Sequence, residues 1–299
     1  MEEFKMSANK SHDELQHRRN RRLKRARFIT DNIIPRIILV FICLLFMMPF
    51  YWMFVTSVKG VEELRALPPT LFPSEFHFEH YPLALEYIPF FRYTVNSLTY
   101  VVFAVIGAIF SNSLIGYGFS RIQWKGREAL FMIVIATMFI PFPVVLVALF
   151  DIFAKLKLIN TFYPLIIPAY FGSALYIFLM RQYLLTIPKE LSEASFIDGC
   201  TEFQIFAKVI LPLMKPVIGV VAIFTALNAW NDFLGPLIYI QVQEMYPLSI
   251  GLQFFRSQRD VEYSLLMAAS TLVVLPVTVI FLSFQRFFVE GITIGAVKG

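Results

Sequence analysis

Between Ile37 and Val55, and again between Thr99 and Ile115, the chain carries no Asp, Glu, Lys or Arg. A helix needs about 20 predominantly apolar residues to cross a hydrocarbon core roughly 30 Å thick, and these runs meet that requirement. No other feature constrains the fold as strongly. Composition agrees: 58% of residues are hydrophobic and 16% charged, against roughly 45–50% and about 25% in soluble domains. Intrinsic disorder, collagen-like repetition and a disulfide-rich secreted module are excluded.

Apolar segments recur, and the pattern predicts six spans at about 33–56, 88–118, 128–150, 163–184, 212–240 and 264–288. They follow a basic arm, residues 1–32, containing Lys5, Lys10, Arg18, Arg19, Arg21, Arg22, Lys24, Arg25 and Arg27. Charge at that density stays out of a bilayer and holds the start of the chain on the cytoplasmic side. It also places the +5 net charge on an arm instead of a folded basic surface, which argues against nucleic acid. The first run is too long, and too poor in small residues at its end, for a cleavable signal peptide.

An even number of spans returns both termini to one face. The segments assigned inside carry the arm plus Arg121, Lys125, Arg127, Arg181, Lys189, Lys208, Lys215, Arg286 and Lys298. Those assigned outside carry Lys59, Arg65, Arg92, Lys155, Lys157, Arg256 and Arg259, so the positive-inside bias puts both termini in the cytoplasm. The fold class is therefore all-α and polytopic, one membrane domain (33–299) with an arm. Arg121 and Arg181 fall near cytoplasmic span ends and read as interface anchors.

Cys43 lies in an apolar run and Cys200 in a polar loop, so no structural disulfide is expected. His77 and His80 share an external loop and read as solvated, with no metal-ligand spacing anywhere. That loop, Ser57 to Pro89, is rich in Pro and aromatics and is expected to be ordered with little regular structure; Gln241 to Tyr263 is the other sizeable one. Pro141, Pro143, Pro164, Pro168, Pro236 and Pro276 either break helices around a wet pathway or merely kink them. Gly107, Gly116 and Gly118 suit close helix approach.

The segment from Leu185 to Pro212 is too long and amphipathic for a simple turn. It predicts two short helices: Ser192 caps the first, the Asp198-Gly199 pair stops it, Thr201 caps the second and Pro212 ends it. Phe203, Ile205, Phe206, Val209 and Ile210 supply an apolar face. Such a hairpin either docks a soluble partner or lies on the membrane surface.

The same residues resemble a known family. Glu193-Ala194-Ser195, three residues, Gly199, nine residues, Val209, one residue and Leu211-Pro212 is similar to the EAA loop of bacterial ABC importer permeases, with Ser195 and Val209 as small departures. Tyr93-Thr-Val-Asn-Ser-Leu98, Gly116-Tyr-Gly-Phe-Ser-Arg121, Trp230-Asn-Asp-Phe233 and the tail Phe284 to Gly299 resemble the MalG-type permease of maltose and oligosaccharide importers, from about residue 30 onward. The resemblance implies the type I importer permease fold in the inner membrane. It implies that Glu193, Ala194, Gly199 and their neighbours, Asp198 included, enter a cleft on an ATPase subunit and couple ATP-driven closure to the membrane. It also implies that the tail 289–299, with Gly291, Gly295, Lys298 and Gly299, reaches between two ATPase subunits. Further partners would be a homologous MalF-like permease and an external solute-binding protein.

No phosphate-binding loop, nucleophile motif or paired acids appear, so the chain is expected to be no enzyme and to bind no cofactor or metal itself; ATP and magnesium would sit on the partner ATPase. Sugar passage needs hydrogen-bonding and aromatic groups along a wet path. Asn96, Ser97, Asn112 and Ser113 in the second span, and Asn228, Trp230, Asn231 and Asp232 in the fifth, are the pathway residues the sequence offers. Asp232, flanked by apolar residues, must face the bundle interior or a cavity, and either serves the pathway or makes a structural hydrogen bond. A permease for a glycerophosphodiester or polyanionic oligosaccharide is the alternative, followed by an ion-coupled secondary transporter.

Overall fold

In a computed structural model of the chain the backbone of residues 31, 33–256 and 262–296 is described, with side chains through residue 283. The basic arm, apart from Asp31, lies outside the described residues, as do Arg259, Lys298 and Gly299. The described residues are helical, with no strand among them. Among the described residues four helices are long and apolar enough to cross a membrane, and up to six crossings result if each of two sharply bent pairs counts as one.

The first helix, α1 (Ile34–Ser57), takes Pro35 in its opening turn, where the missing N–H is no loss. Only Val55, Thr56 and Ser57 of it are buried. The second, α2 (Phe90–Ser120), has 31 residues and so runs for about 46 Å at about 1.5 Å per residue. It is the central element, packed against α5 (Ala174–Thr186) and α7 (Lys215–Asn231). Its buried face runs through Tyr93, Ser97, Tyr100, Ala104, Ala108, Ser111 and Asn112 at the three- and four-residue spacing of one helix side. At Gly116 a Cβ would stand 2.7 Å from Met180 Cβ, so α2 and α5 meet with no room for a side chain. Gly118 faces open space.

The third crossing is α3 (Arg127–Ala136), one tighter turn to Phe139, then α4 (Phe142–Lys155) at 99° to it. Proline drives the residue before it into extended backbone, and Ile140, before Pro141, is extended. The fourth, Tyr163–Thr186, is interrupted between the Pro168 turn and Ser173 before α5 begins. Pro141, Pro143, Pro164 and Pro168 thus sit at true breaks, whereas Pro276 lies inside the last helix, α9 (Tyr263–Ala296), and only interrupts its bonding. The fifth stretch bends by 76° at Met214. It divides again after Asn231, ahead of the short helix α8 (Leu234–Tyr239). Gly291 and Gly295 belong to α9, which continues to Ala296.

Two hydrophobic clusters lie at opposite ends of α2. One gathers Tyr93, Tyr100, Trp230, Leu248 and Phe255. The other gathers Tyr117, Met180, Leu184, Ile205, Phe206, Ile210 and Met214.

The loop after α1 has more regular structure than expected. It holds two short helices, Val61–Arg65 and His80–Tyr87, and is pinned by Lys59, which is 2% exposed. The Lys59 ammonium donates to the Thr70 carbonyl and lies 5.0 Å from the Trp52 ring centre. Glu63 accepts from Thr70 Oγ1 at 2.5 Å and from the Ser74 amide, and the Thr70 bond leads in holding its carboxyl below the ordinary range. His77 and His80 are not simply solvated: His77 Nδ1 meets Glu79 at 2.6 Å and His80 Nδ1 meets the Ser57 carbonyl at 2.9 Å. Among the described residues no cluster of three metal-ligating side chains exists.

Because Met180 leaves no space over Gly116, Gly116→Ala is expected to destabilise the folded subunit by about 1–3 kcal/mol through overpacking, whereas Gly118→Ala, at a helical position open to space, is expected to stabilise it by about 0.5–1 kcal/mol. Thermal unfolding of the detergent-purified protein, variant against wild type, measures both.

Candidate functional site

The hairpin between the fourth and fifth crossings has its turn chemistry written locally. Its first helix, α6 (Glu190–Ile197), carries Glu190 and Glu193 in the opening turn, where carboxylates favour the positive helix end. It stops at Gly199, whose φ of 85° is left-handed and suits a residue without Cβ. The Gly199 amide donates to Phe196 O and the Cys200 amide to Ser195 O, both at 3.0 Å, a double closure that satisfies the last carbonyls of the helix. Thr201 then opens the next segment with a reciprocal cap: its amide donates to Gln204 Oε1 at 2.9 Å and its hydroxyl accepts from the Gln204 amide.

Three expectations for this hairpin need correction. Ser192 caps nothing, because Ile187 is held extended by Pro188 and the helix therefore begins earlier, at Glu190 with Lys189 before it. Pro212 does not end the second helix: residues Ile205–Ile210 wind as a π-helix and Pro212 sits in the opening turn of Leu211–Leu213, where no N–H is needed. The apolar face also divides. Ile205, Phe206 and Ile210 are buried in the body, while Phe203 (71% exposed) joins Phe196 (66%) and Ile197 (85%) at the hairpin tip. Glu193, Ala194, Asp198 and Gly199 are exposed beside them, Ser195 and Val209 are half-buried, and Leu211 and Pro212 begin the return toward α7. Between this tip and the end of α2 lies a cavity of about 520 Å³ whose lining includes Tyr117, Arg121, Lys189, Ser192, Glu193 and Glu202.

The two span-end arginines tie helices together. Arg121 donates to the carbonyls of Leu184 (2.7 Å), Ile187 (2.6 Å) and Pro188 (3.3 Å). Arg181 Nη2 donates to both carboxylate oxygens of Glu128, at 2.9 and 2.8 Å, its Nε donates to the Phe119 carbonyl, and the guanidinium lies 4.1 Å over the Phe131 ring.

Four of the eight residues nominated for a pathway, Asn96, Ser97, Asn112 and Asp232, are committed to backbone groups at or beside helix breaks. Asn96 Nδ2 donates to the carbonyls of Glu244 and Tyr246, and Ser97 Oγ accepts from the Leu248 amide at 2.9 Å. Asn112 Oδ1 accepts from the Ser173 amide at 2.8 Å, at the head of α5, while its Nδ2 donates to Ala108 O. Ser113 donates back to Ile109 O. Asp232 Oδ1 accepts from the Gly235 amide at 3.0 Å, Oδ2 accepts from Tyr100 Oη at 3.0 Å, and its carbonyl accepts from Ser249 Oγ at 2.7 Å. The carboxylate thus makes the structural bond that the sequence left open. Trp230 is buried in the adjoining core.

Asn228 and Asn231 differ. Both are exposed, three residues apart on the face of α7 that also presents Phe224. Asn228 touches Tyr176 Oη at 3.3 Å and Asn231 donates only to its own helix at Leu227 O. Tyr100, Tyr176 and Glu202 carry no local sequence signal for these roles, since each acts on a partner at least 52 residues away.

A bundle of broken apolar helices around a long central one, with a rigid hairpin standing off one end, defines a polytopic transport subunit. Residues 104–294 match the family described as binding-protein-dependent transport system inner membrane component, and the chain belongs to that family. It is 35% identical over 275 residues to the arabinooligosaccharides transport system permease protein AraQ of Bacillus subtilis, covering 91% of this chain and 98% of that one. It is 32% identical to the diacetylchitobiose uptake system permease protein DasC of Streptomyces coelicolor (88% and 95% covered). It is 29% identical to the melibiose/raffinose/stachyose import permease protein MelC of Bacillus subtilis (93% and 100%). In fold it is similar to a chain in the crystal structure of a bacterial ABC transporter involved in the import of the acidic polysaccharide alginate, with a TM-score of 0.75, 22% identity, and 87% and 97% coverage. The protein is a multi-pass inner-membrane permease, a transport component and not an enzyme.

Removing the Tyr100 hydroxyl strips a donor from a charged acceptor. Tyr100→Phe is therefore expected to destabilise the protein by about 1.5–3 kcal/mol, read as a lowered unfolding temperature of the purified subunit.

Proposed function

We propose that this chain is one of two permease subunits of an ATP-driven importer that takes up a sugar or oligosaccharide delivered by an external solute-binding protein. The observation that carries the reading is the hairpin: a tip with exposed Phe196, Ile197 and Phe203, stiffened by the Gly199 closure and the Thr201 cap, and rooted in the core through Ile205, Phe206 and Ile210. A face lying flat on lipid would not need its second helix anchored inside the body; a face entering a protein cleft would. The docked partner is an ATPase subunit, met through Glu193, Ala194, Ser195, Asp198 and Gly199. ATP and magnesium belong to two such subunits, and this chain holds no cofactor or metal.

Both termini lie in the cytoplasm with the hairpin, as the Lys and Arg distribution directs. The tail beyond Phe284, including Gly291, Gly295, Lys298 and Gly299, reaches the ATPase pair. The other permease subunit is MalF-like, and the two rock about a central path.

Substrate class follows the relatives, which are named for oligosaccharide uptake. The α7 face supports it: Asn228 and Asn231 offer amides that both donate to and accept from hydroxyls, with the Phe224 ring beside them. A polyanionic solute is disfavoured, because Lys215 at its start is the only cation of α7.

Two variants in proteoliposomes containing the full complex test the reading. At Gly199 a Cβ meets nothing within 4 Å in this chain, and left-handed backbone strains a non-glycine residue by only about 1–2 kcal/mol. Gly199→Ala is expected to abolish uptake and weaken ATPase association while the permease still folds. Asn231→Ala is expected to lower oligosaccharide uptake while ATPase association stays normal. Uptake that persists with no ATPase subunit present would discard the importer reading for an ion-coupled transporter.

A further inference from the structure

The last turn of α2 is tied to both sides of the hairpin. Tyr117 Oη donates to Glu202 Oε2 at 2.8 Å, just past the Gly199 turn. Arg121, four residues further on, grips the carbonyls of Leu184, Ile187 and Pro188 just before α6. Tyr117 is buried and its ring packs on Phe206 at 5.1 Å between centroids, so the hydroxyl is delivered from a fixed platform.

The hairpin's covalent exits are irregularly wound and bent. Toward α5 it passes through extended Ile187 and Pro188. Toward α7 it passes through the π-wound Ile205–Ile210 and the 76° bend at Met214. Irregular winding and sharp kinks are where helices yield. In contrast α2 is a continuous helix with no proline between Phe90 and Ser120. Its far end is equally well tied: Asn96 and Ser97 hold the Glu244–Leu248 segment, and Tyr100 holds Asp232, the residue next to Asn231.

We propose that α2 is the rod that carries hairpin displacement to the pathway end of the molecule, and that the Tyr117–Glu202 hydrogen bond is the contact through which the displacement enters it. Tyr117 and Glu202 are positioning residues: they touch no substrate and act through α2 on the break beside Asn228 and Asn231. The inference rests on the hairpin being the element that an ATPase subunit moves.

The test uses the whole complex, this chain with its second permease, ATPase subunits and binding protein, in liposomes, measuring labelled oligosaccharide uptake and ATP hydrolysis together. Tyr117→Phe keeps the ring packing and removes only the donor. Because Glu202 is exposed, water replaces the lost donor, so unfolding temperature and ATP hydrolysis are expected to stay near wild type while uptake per ATP falls about tenfold, equivalent to about 1.4 kcal/mol. Glu202→Leu should reproduce that uncoupling, and Glu202→Gln, whose amide oxygen still accepts, should remain coupled. The rod is overturned if Tyr117→Phe and Glu202→Leu leave uptake per ATP unchanged. It is equally overturned if uptake, hydrolysis and unfolding temperature fall in parallel, which is the mark of a merely structural bond. Wild-type uptake without ATPase subunits would remove the underlying importer reading and the rod with it, whereas normal wild-type coupling with indifferent variants removes the rod alone.

Discussion

A helix interrupted inside a membrane leaves amides and carbonyls where no water can reach them, and each such group unmet costs several kcal/mol. The architecture rests on how those groups are met. Ser173 N is met by Asn112, Leu248 N by Ser97 and Gly235 N by Asp232. The Ala169 carbonyl is met by Ser111, and on the loop that follows the fifth crossing the Glu244 and Tyr246 carbonyls are tied down by Asn96. All of these side chains except Asp232 come from α2, and Asp232 is held by Tyr100 of α2. One unbroken helix thus licenses the breaks in its neighbours.

That arrangement also sets how the molecule can deform. In lipid, apolar surface gives helices little reason to associate, so contact depends on close packing and hydrogen bonds. The two cores, one around Tyr93, Tyr100 and Trp230 and the other around Tyr117, Met180 and Phe206, both draw on α2 and α7, and Ala169 packs against both. Where α2 meets α5 over Gly116 there is no slack to absorb a shift. Motion applied at one end therefore appears at the other as movement of α2 as a body, while the bends at Met214 and between Phe139 and Phe142 take up the angular change.

Features decided within a few residues were legible in the sequence. The apolar runs, the stop at Gly199 and the cap at Thr201 depend on side chains adjacent to the backbone they serve, and local chemistry was enough. Ser192 resembles a cap locally, but Pro188, four residues upstream, sets where the helix starts. The hairpin's apolar residues could be named, but which of them root it in the core depends on α2 and α5, over 20 residues away in the chain. The polar residues of α2 show the limit most plainly. A polar side chain in an apolar run must have a partner, yet the partners of Asn96 and Ser97 lie 148 to 151 residues distant. From sequence alone a partner in the backbone and a partner in a passing solute look the same.

The exposed polar side chains of α7 beyond its first residue are two amides, each already making one hydrogen bond within the molecule. Asn228 and Asn231 lie on one face of α7, and the neighbouring Asp232 is already occupied by Tyr100 and Gly235. A sugar ring leaving water carries several hydroxyls that each need a partner or retained water. Two amides cannot satisfy them, so the remainder must come from water in the path or from an opposing surface. Hydrogen-bond supply is thus a physical reason for the second permease proposed above. The residues that make this half rigid enough to transmit a push are the same ones that leave it too few polar groups to bind a sugar unaided.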